Sequence, residues 1–233
     1  MSIVVNDLHR LIGQLAPHIC TDDTLPPLTG IHLQVTGGRL TAAATDRHTI
    51  AIATRETEET DEPSDWTALL DRADLHALRT LFPARTAGQG LRLTYRPPTA
   101  EDPDGRLLFT LHGRTLTLSA NAGRAARFPK LRPIVSTALE AEPRLTSPAC
   151  FNADYLARWR KAADRYTPIT VWSAGPEAPL VVAIGPDFLG LQMPVRIDLR
   201  ADGGACFANR DSVRADWAHL LGTTPDTALP TAA

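Results

Sequence analysis

One pattern constrains this chain more than any other. An amphipathic helix and short alternating strands recur along its 233 residues in one order. In the first occurrence, Val5 to Ile19 reads as a helix with Leu8, Leu11, Ile12, Leu15 and Ile19 on one face. Asn6 is its expected N-cap, and Pro17 weakens its last turn. Strands follow at Leu28–Val35, Arg39–Thr45 and His48–Thr54. Gly37-Gly38 makes the first turn, and Asp46-Arg47 separates the last two strands. In the second, Trp66–Leu70 is a short strand and Asp71 opens a helix. Asp74 is placed for a capping box, Leu75, Leu78, Leu81 and Phe82 form the apolar side, and Pro83 stops the helix. Strands resume at Leu91–Tyr95, Arg106–Leu111 and Thr115–Ala120, with a turn at His112-Gly113. The third occurrence has only the second half of the unit. Its helix is Asn152–Ala163, capped by Asn152, with Tyr155, Leu156 and Trp159 inward, and its strands are Ile169–Ser173, Leu180–Ile184 and Phe188–Ile197. Helix-plus-sheet units repeated in pattern rather than in identity point to an α+β protein with helices packed on antiparallel sheets.

The connections are polar. Arg55 to Asp65 is acidic and reads as a solvated loop. Phe128 to Val135, FPKLRPIV, reads as an extended crossing, and Ser136 to Pro148 as a linker. Residues 198–233 read as a tail with one short helix at Asp211–Leu221 and a disordered end.

Composition excludes several functions. A formal net charge of -2 is wrong for a general polycationic nucleic-acid binder, though it permits a local basic surface. Cys20, Cys150 and Cys206 are scattered and form no CxxC pair, so neither a disulfide framework nor a zinc site is expected. This suits a reducing cytoplasm. No apolar run is long enough for a membrane span, and the N-terminus lacks the pattern of a signal peptide. There is no P-loop, GxGxxG or GxSxG. Asp46 and His48 are the nearest thing to an acid–base pair, without a nucleophile beside them. The histidines lack metal-ligand spacing. No enzyme activity, metal or cofactor is expected.

Basic charge is concentrated in two places. Six cations and no acid lie between Arg106 and Arg132. On the third helix Arg158, Lys161 and Arg165 are three to four residues apart, and Arg10 lies on the polar side of the first. Such faces either meet phosphates without reading bases or simply keep the protein soluble.

Two passages carry a resemblance. One is LTGIHLQVTGGRLTAAATDRHTIAIAT, Leu28 to Thr54; the other is FPKLRPIV taken together with LQMPVRI, Leu191 to Ile197. In combination they resemble the bacterial sliding clamp, the beta subunit of DNA polymerase III. The resemblance implies a DNA clamp (processivity-fold) architecture of repeated domains, with helices inside a ring and sheets outside. By this resemblance residues 1–127 are a complete clamp domain like the family's middle one. Residues 128–148 are crossing and linker, 149–197 a partial domain like the second half of the last one, and 198–233 a tail. The family's first domain has no counterpart here, which makes a closed ring an open question.

The resemblance also implies a peptide-binding groove. Its matching positions are Leu28, Thr45, His48, Ile50, Pro129, Ile134, Leu191, Met193, Pro194, Val195 and Arg196. Arg47 stands where the family commonly has glycine, and Thr49 where it commonly has arginine. The same residues would also serve as ordinary core between domains. Implied partners are DNA polymerase, clamp loader or repair proteins through short linear motifs, double-stranded DNA bound without sequence specificity, and further copies of the chain. Two functions follow as expectations: a processivity factor on DNA, or a non-ring adaptor that keeps the groove without encircling DNA. Arg10, Arg158, Lys161 and Arg165 are the expected DNA-facing side chains.

Overall fold

The computed structural model describes residues 1–59, 65–83, 86, 88–143, 150–164 and 166–195. The expected tail, with its helix at Asp211–Leu221, and Arg165, Arg196 and Cys206 lie outside the described residues.

The first unit begins with a strand. β1 (Ser2–Val5) pairs antiparallel with β7 (Leu91–Arg96), burying Ile3 and Val5. Helix α1 (Leu8–Leu15) therefore starts later than its apolar spacing suggests. Asp7 rather than Asn6 stands at its N-cap, in a left-handed conformation and without a side-chain capping bond. A 3-10 turn at Ala16–His18 carries Pro17. Leu8, Leu11, Ile12, Leu15 and Ile19 are all buried, so the apolar stripe is as expected.

Strands β2 (Gly30–Thr36), β3 (Arg39–Thr45) and β4 (Thr49–Glu56) form an antiparallel meander. Gly37 and Gly38 both take positive φ in its first turn, where a side chain would be strained. The stretch expected as a solvated loop, Arg55 to Asp65, is in part strand: Arg55 and Glu56 belong to β4, and Glu58–Glu59 form β5, which pairs with β1, while residues 60–64 lie outside the described residues. β6 (Trp66–Asp71) pairs with β2. The Asp71 side chain caps the next turn by accepting from the Ala73 amide, ahead of α2 (Leu75–Leu81). β8 (Arg106–Leu111) and β9 (Arg114–Ser119) complete the meander begun by β7. The short helix α3 (Ala122–Ala125) follows.

The segment from 128 to 148 departs from expectation. Instead of an extended crossing and a linker, Leu131–Glu140 forms helix α4. Pro133 sits in its first turn, where no amide hydrogen is needed. Leu131, Val135 and Ala138 recur at helical spacing, and Val135 and Ala138 pack in a small cluster with Ile50, Val181 and Leu191.

Helix α5 (Ala153–Trp159) is capped by Asn152, whose side chain accepts from the Asp154 and Tyr155 amides. Trp159 is buried, but Leu156 is 41% exposed and not inward as its hydrophobicity suggests. The inner stripe runs through Tyr155, Trp159 and Ala162. Strands β10 (Thr170–Trp172), β11 (Leu180–Ile184) and β12 (Phe188–Gln192) form the last meander.

Among the described residues there are two sheets. One has the order β5-β1-β7-β8-β9, and the other β10-β11-β12-β4-β3-β2-β6. The second is continuous between the residues up to 127, hereafter the first unit, and those from 150 on, hereafter the second unit, because β12 pairs directly with β4, from Phe188 opposite Ala53 to Gln192 opposite Thr49. Trp159 lies on Gly190 of β12, and a Cβ there would fall inside the indole ring. Gly190→Ala should therefore destabilise the protein by about 1–3 kcal/mol, read by urea unfolding, because the ring has to shift in a packed layer. An unchanged midpoint would show that this contact is slack.

Candidate functional site: an apolar groove on the joined sheet

The turn between β3 and β4 is built by Asp46. Its Oδ1 accepts from the His48 amide (3.1 Å), the Thr49 amide (2.7 Å) and the Thr49 hydroxyl (2.9 Å). Thr45 donates its hydroxyl to the Thr49 carbonyl at 2.7 Å. Between them Arg47 has φ 76, a left-handed conformation that glycine adopts without cost. The turn leaves Arg47 and His48 exposed at a sheet surface.

The second unit grips this turn from behind. Arg158 on α5 donates to Asp46 Oδ2 at 2.6 Å and to the Thr49 hydroxyl at 3.2 Å, with its guanidinium 4.4 Å above the Tyr155 ring. Tyr155 stacks on His48 with centroids 5.5 Å apart. Met193 donates its amide to the His48 carbonyl at 2.9 Å. Burial opposes ionisation of Asp46, but the hydrogen bonds from Arg158 and Thr49 outweigh it and hold the carboxyl below its ordinary value.

His18 lies beneath the same turn. It is fully buried, hydrogen-bonded through Nδ1 to the Thr49 hydroxyl at 3.1 Å and stacked on Trp159 at 4.4 Å. Its Nε2 has no hydrogen-bond partner among the described residues. Burial, reinforced by the Arg158 charge and only partly opposed by Asp46, pushes its pKa down to about 3, so the imidazole is neutral.

On the outer side of the sheet these elements enclose a cavity of about 200 Å³. Of the expected groove residues, the structure brings Leu28, Thr45, His48, Ile50, Pro129, Ile134, Leu191 and Met193 to its walls. Pro194 and Val195 do not line it. Val195 instead donates its amide to the Cys150 carbonyl at 2.8 Å, which directs the chain away. Arg196 is outside the described residues. Arg47, Leu131 and Pro179 complete the wall. Arg47 was legible as a substitution at the turn. Leu131 comes in because α4 is a helix, and no sequence signal marked Pro179. The walls are apolar apart from Thr45, Arg47 and His48, and Ile134 and Met193 are 45% and 46% exposed at the rim.

The expected DNA-facing set does not form one free basic face. Arg158 points inward to Asp46, its side chain only 25% exposed, because a partly buried carboxylate draws it off the helix surface. Arg10 pairs with Asp164 at 3.0 Å. Lys161 is exposed, and Arg165 is outside the described residues. Within the Arg106–Arg132 cluster, Arg124 is likewise taken up, donating to Asp71, the Pro26 carbonyl and the Thr29 hydroxyl. Among the described residues no group of three or more His, Cys, Asp or Glu is arranged to hold a metal ion.

The fold is that of a DNA clamp, with helices on antiparallel sheets. Residues 2–84 match the family model of the DNA polymerase III beta subunit, central domain. The backbone is similar to that of the DNA polymerase sliding clamp from Bacillus subtilis, with TM-score 0.63 and 16% identity over 84% of this chain and 64% of that one. It is similar to a putative DNA polymerase III beta subunit from Eubacterium rectale, with TM-score 0.66 and 13% identity over 84% and 66%. It is also similar to the C. crescentus beta sliding clamp, solved with PEG bound to its putative beta-motif tethering region, with TM-score 0.61 and 19% identity over 84% and 66%. At these identities the structural likeness is one of fold. The chain spans just under two thirds of the length of these clamps.

Two measurements check this account of the site. Arg47→Gly should raise stability by about 1 kcal/mol in urea unfolding, because glycine carries no steric cost at this φ; a loss would show that the Arg47 side chain outweighs its backbone strain. The second concerns pH. His18 has a depressed folded-state pKa, so the unfolded chain binds more protons between about 3 and 6.5. Its contribution is complete above pH 6.5 and is lost as pH falls toward 3, at about 1.4 kcal/mol per unit. His32, held near 4 by burial, acts in the same direction. Unfolding free energy should thus fall steeply from pH 7 to pH 5, and His18→Asn should flatten part of that slope. An unaltered slope in the variant would show that His18 does not titrate this way.

Proposed function

We propose that this chain is a clamp-like adaptor of DNA replication or repair. It would hold short, Leu/Phe-bearing linear motifs of polymerases, clamp-loader or repair proteins in the groove, without encircling DNA. The observation that carries this reading is the groove itself. Eight side chains that the family resemblance picked out, from four separate stretches of sequence, converge on one preformed apolar cavity. Burying a single Leu or Phe side chain there is worth about 1.5–3 kcal/mol, so two such anchors supply about 3–6 of the roughly 8 kcal/mol of a micromolar interaction. Met193 at the rim can adapt to different side chains.

The choice of an adaptor over a DNA-encircling clamp rests on charge. Arg158 and Arg124 are held by internal carboxylates, and Arg10 is paired at the surface. That leaves little free cation density for phosphates on α1 and α5. The division into one full and one partial clamp unit, and a cytoplasmic setting, belong to the same proposal. Among the described residues no helix is long and apolar enough to cross a membrane.

The test is a fluorescence-anisotropy titration with a pentapeptide of the QLxLF kind. Binding in the micromolar range is expected, with Met193→Ala weakening it about tenfold, or about 1.4 kcal/mol. No binding at high micromolar concentration, or the same affinity in the variant, would sink the groove reading. In parallel, the chain should not be retained on circular DNA any longer than on the linearised form. Selective retention on circles would restore the encircling reading.

A further inference from the structure

A second, larger cavity of about 640 Å³ lies on the same outer face of the sheet. Its floor is made by strand residues whose side chains alternate onto that face, among them His32, Gln34, Thr41, Ile52 and Thr67. Its other wall is the stretch that leads into α4, including Lys130 and Arg132.

The two cavities are successive stations along the same strands. On β4, Ile50 lines the first and Ile52 the second; on β3, Thr45 lines the first and Thr41 the second. Residues two apart in a strand are about 7 Å apart on one face. Pro129 and Leu131 line both cavities and form the ridge between them. A peptide seated in the groove therefore needs only a few more residues to reach the second cavity.

The chemistry of the second cavity differs from that of the first. Lys130 and Arg132 are exposed, and neither has a hydrogen-bond or ion-pair partner among the described residues. No carboxylate lines the cavity, and none lies in the first turn of α4. Two other cations of this cluster contrast with these: Arg124 is held by Asp71, and Arg106 by Asp102. His32 stacks on Phe128 with centroids 4.6 Å apart, and neither of its ring nitrogens is hydrogen-bonded among the described residues. Gln34, Thr41 and Thr67 add polar groups to the floor.

We infer that this cavity takes the acidic residues flanking the apolar motif of the same partner peptide, with their carboxylates against Lys130 and Arg132. The inference rests on the groove reading above and adds to it a rule for choosing among partners. Exposed ion pairs contribute little affinity singly, but two cations facing an acidic stretch discriminate between otherwise equal motifs and speed association. Apolar anchors in the first cavity supply the holding energy; charge in the second selects.

The experiment compares three peptides on the full chain by fluorescence anisotropy at low salt. One is the bare pentapeptide motif; the others carry three acidic residues added at its N- or its C-terminus. One of the extended peptides should bind at least fivefold tighter than the bare motif. That gain should disappear in the double variant Lys130→Ala, Arg132→Ala and shrink at high salt, while the bare motif binds variant and wild type alike. Equal binding of wild type and variant to the bare motif also shows that the variant is folded. Bare-motif binding with no gain from either extension, or a gain that survives the double variant, overturns this inference and leaves the groove reading intact. No binding of any peptide overturns both. If a short DNA duplex, and not an acidic extension, shows binding that the double variant loses, the surface is a phosphate-binding one and the inference falls.

Discussion

The pairing of β12 with β4 is the contact on which the rest of this molecule depends. It converts two units into one seven-stranded sheet, and it is fastened at both ends by an arginine–aspartate pair. At one end Arg158 of the second unit reaches Asp46, just before β4. At the other, Arg55 near the end of β4 reaches Asp187, just before β12, at 2.6 Å. Arg55 also donates to Gln14 of α1 at 2.9 Å, and Gln14 in turn donates to the Ala162 carbonyl at 3.2 Å. Both pairs are partly buried, so neither is the weakly coupled, screened kind typical of open surfaces. Each would leave an uncompensated charge if one partner were removed, so both units must dock together for either pair to be satisfied.

This arrangement explains why one side of the sheet is closed and the other open. On the inner side α1 and α5 bury a large common core, with Trp159 on Gly190 and its indole donating to Gln192 at 2.9 Å. On the outer side α4 makes only a thin contact, with Ala138 its one buried residue. A helix that rides this high leaves space on either flank. The groove and the larger cavity beside it are those spaces, roofed by α4 and floored by β3 and β4. The site is thus a consequence of unequal packing on two faces of one sheet: alanines of β3 and β4 (Ala42, Ala44, Ala51 and Ala53) let the inner layer close down on the strands, while Ile50, Ile52 and Leu191 stand up on the outer face under α4.

Much of this was legible in sequence, and the parts that were not have physical reasons. The strands Arg39–Thr45, Arg106–Leu111 and Leu180–Ile184 fall at the residues that alternation and turn signals indicate, because period-two patterning and glycine turns are local. Leu28, His48, Ile50 and Met193 were placed by a resemblance in short motifs, and motif residues cluster because the turn geometry at Asp46 is itself local. What was missed is tertiary. Ser2–Val5 is a strand only because β7 is there to pair with it. Leu131–Glu140 was masked as a helix by two prolines, although Leu131, Val135 and Ala138 carry the helical period. Arg158 lies at positions that suit an exposed basic face, and nothing in its neighbours in sequence reveals that Asp46, 112 residues away, draws it inward.

The same network sets a limit on how the groove can respond to its surroundings. Thr49 shares its hydroxyl among Asp46, Arg158 and His18, so the outer turn and the buried imidazole are joined through one oxygen. A proton on His18 would put a second positive charge beside Arg158 in a site with a single carboxylate, and would break the neutral ring's fit against Trp159. The cost falls on the joint between the units before it reaches the groove walls, because the walls are apolar apart from Thr45, Arg47 and His48 at one edge. Loss of the groove on acidification is therefore coupled to loss of the β4–β12 junction, and the groove cannot be switched by His18 while the joined sheet stays whole.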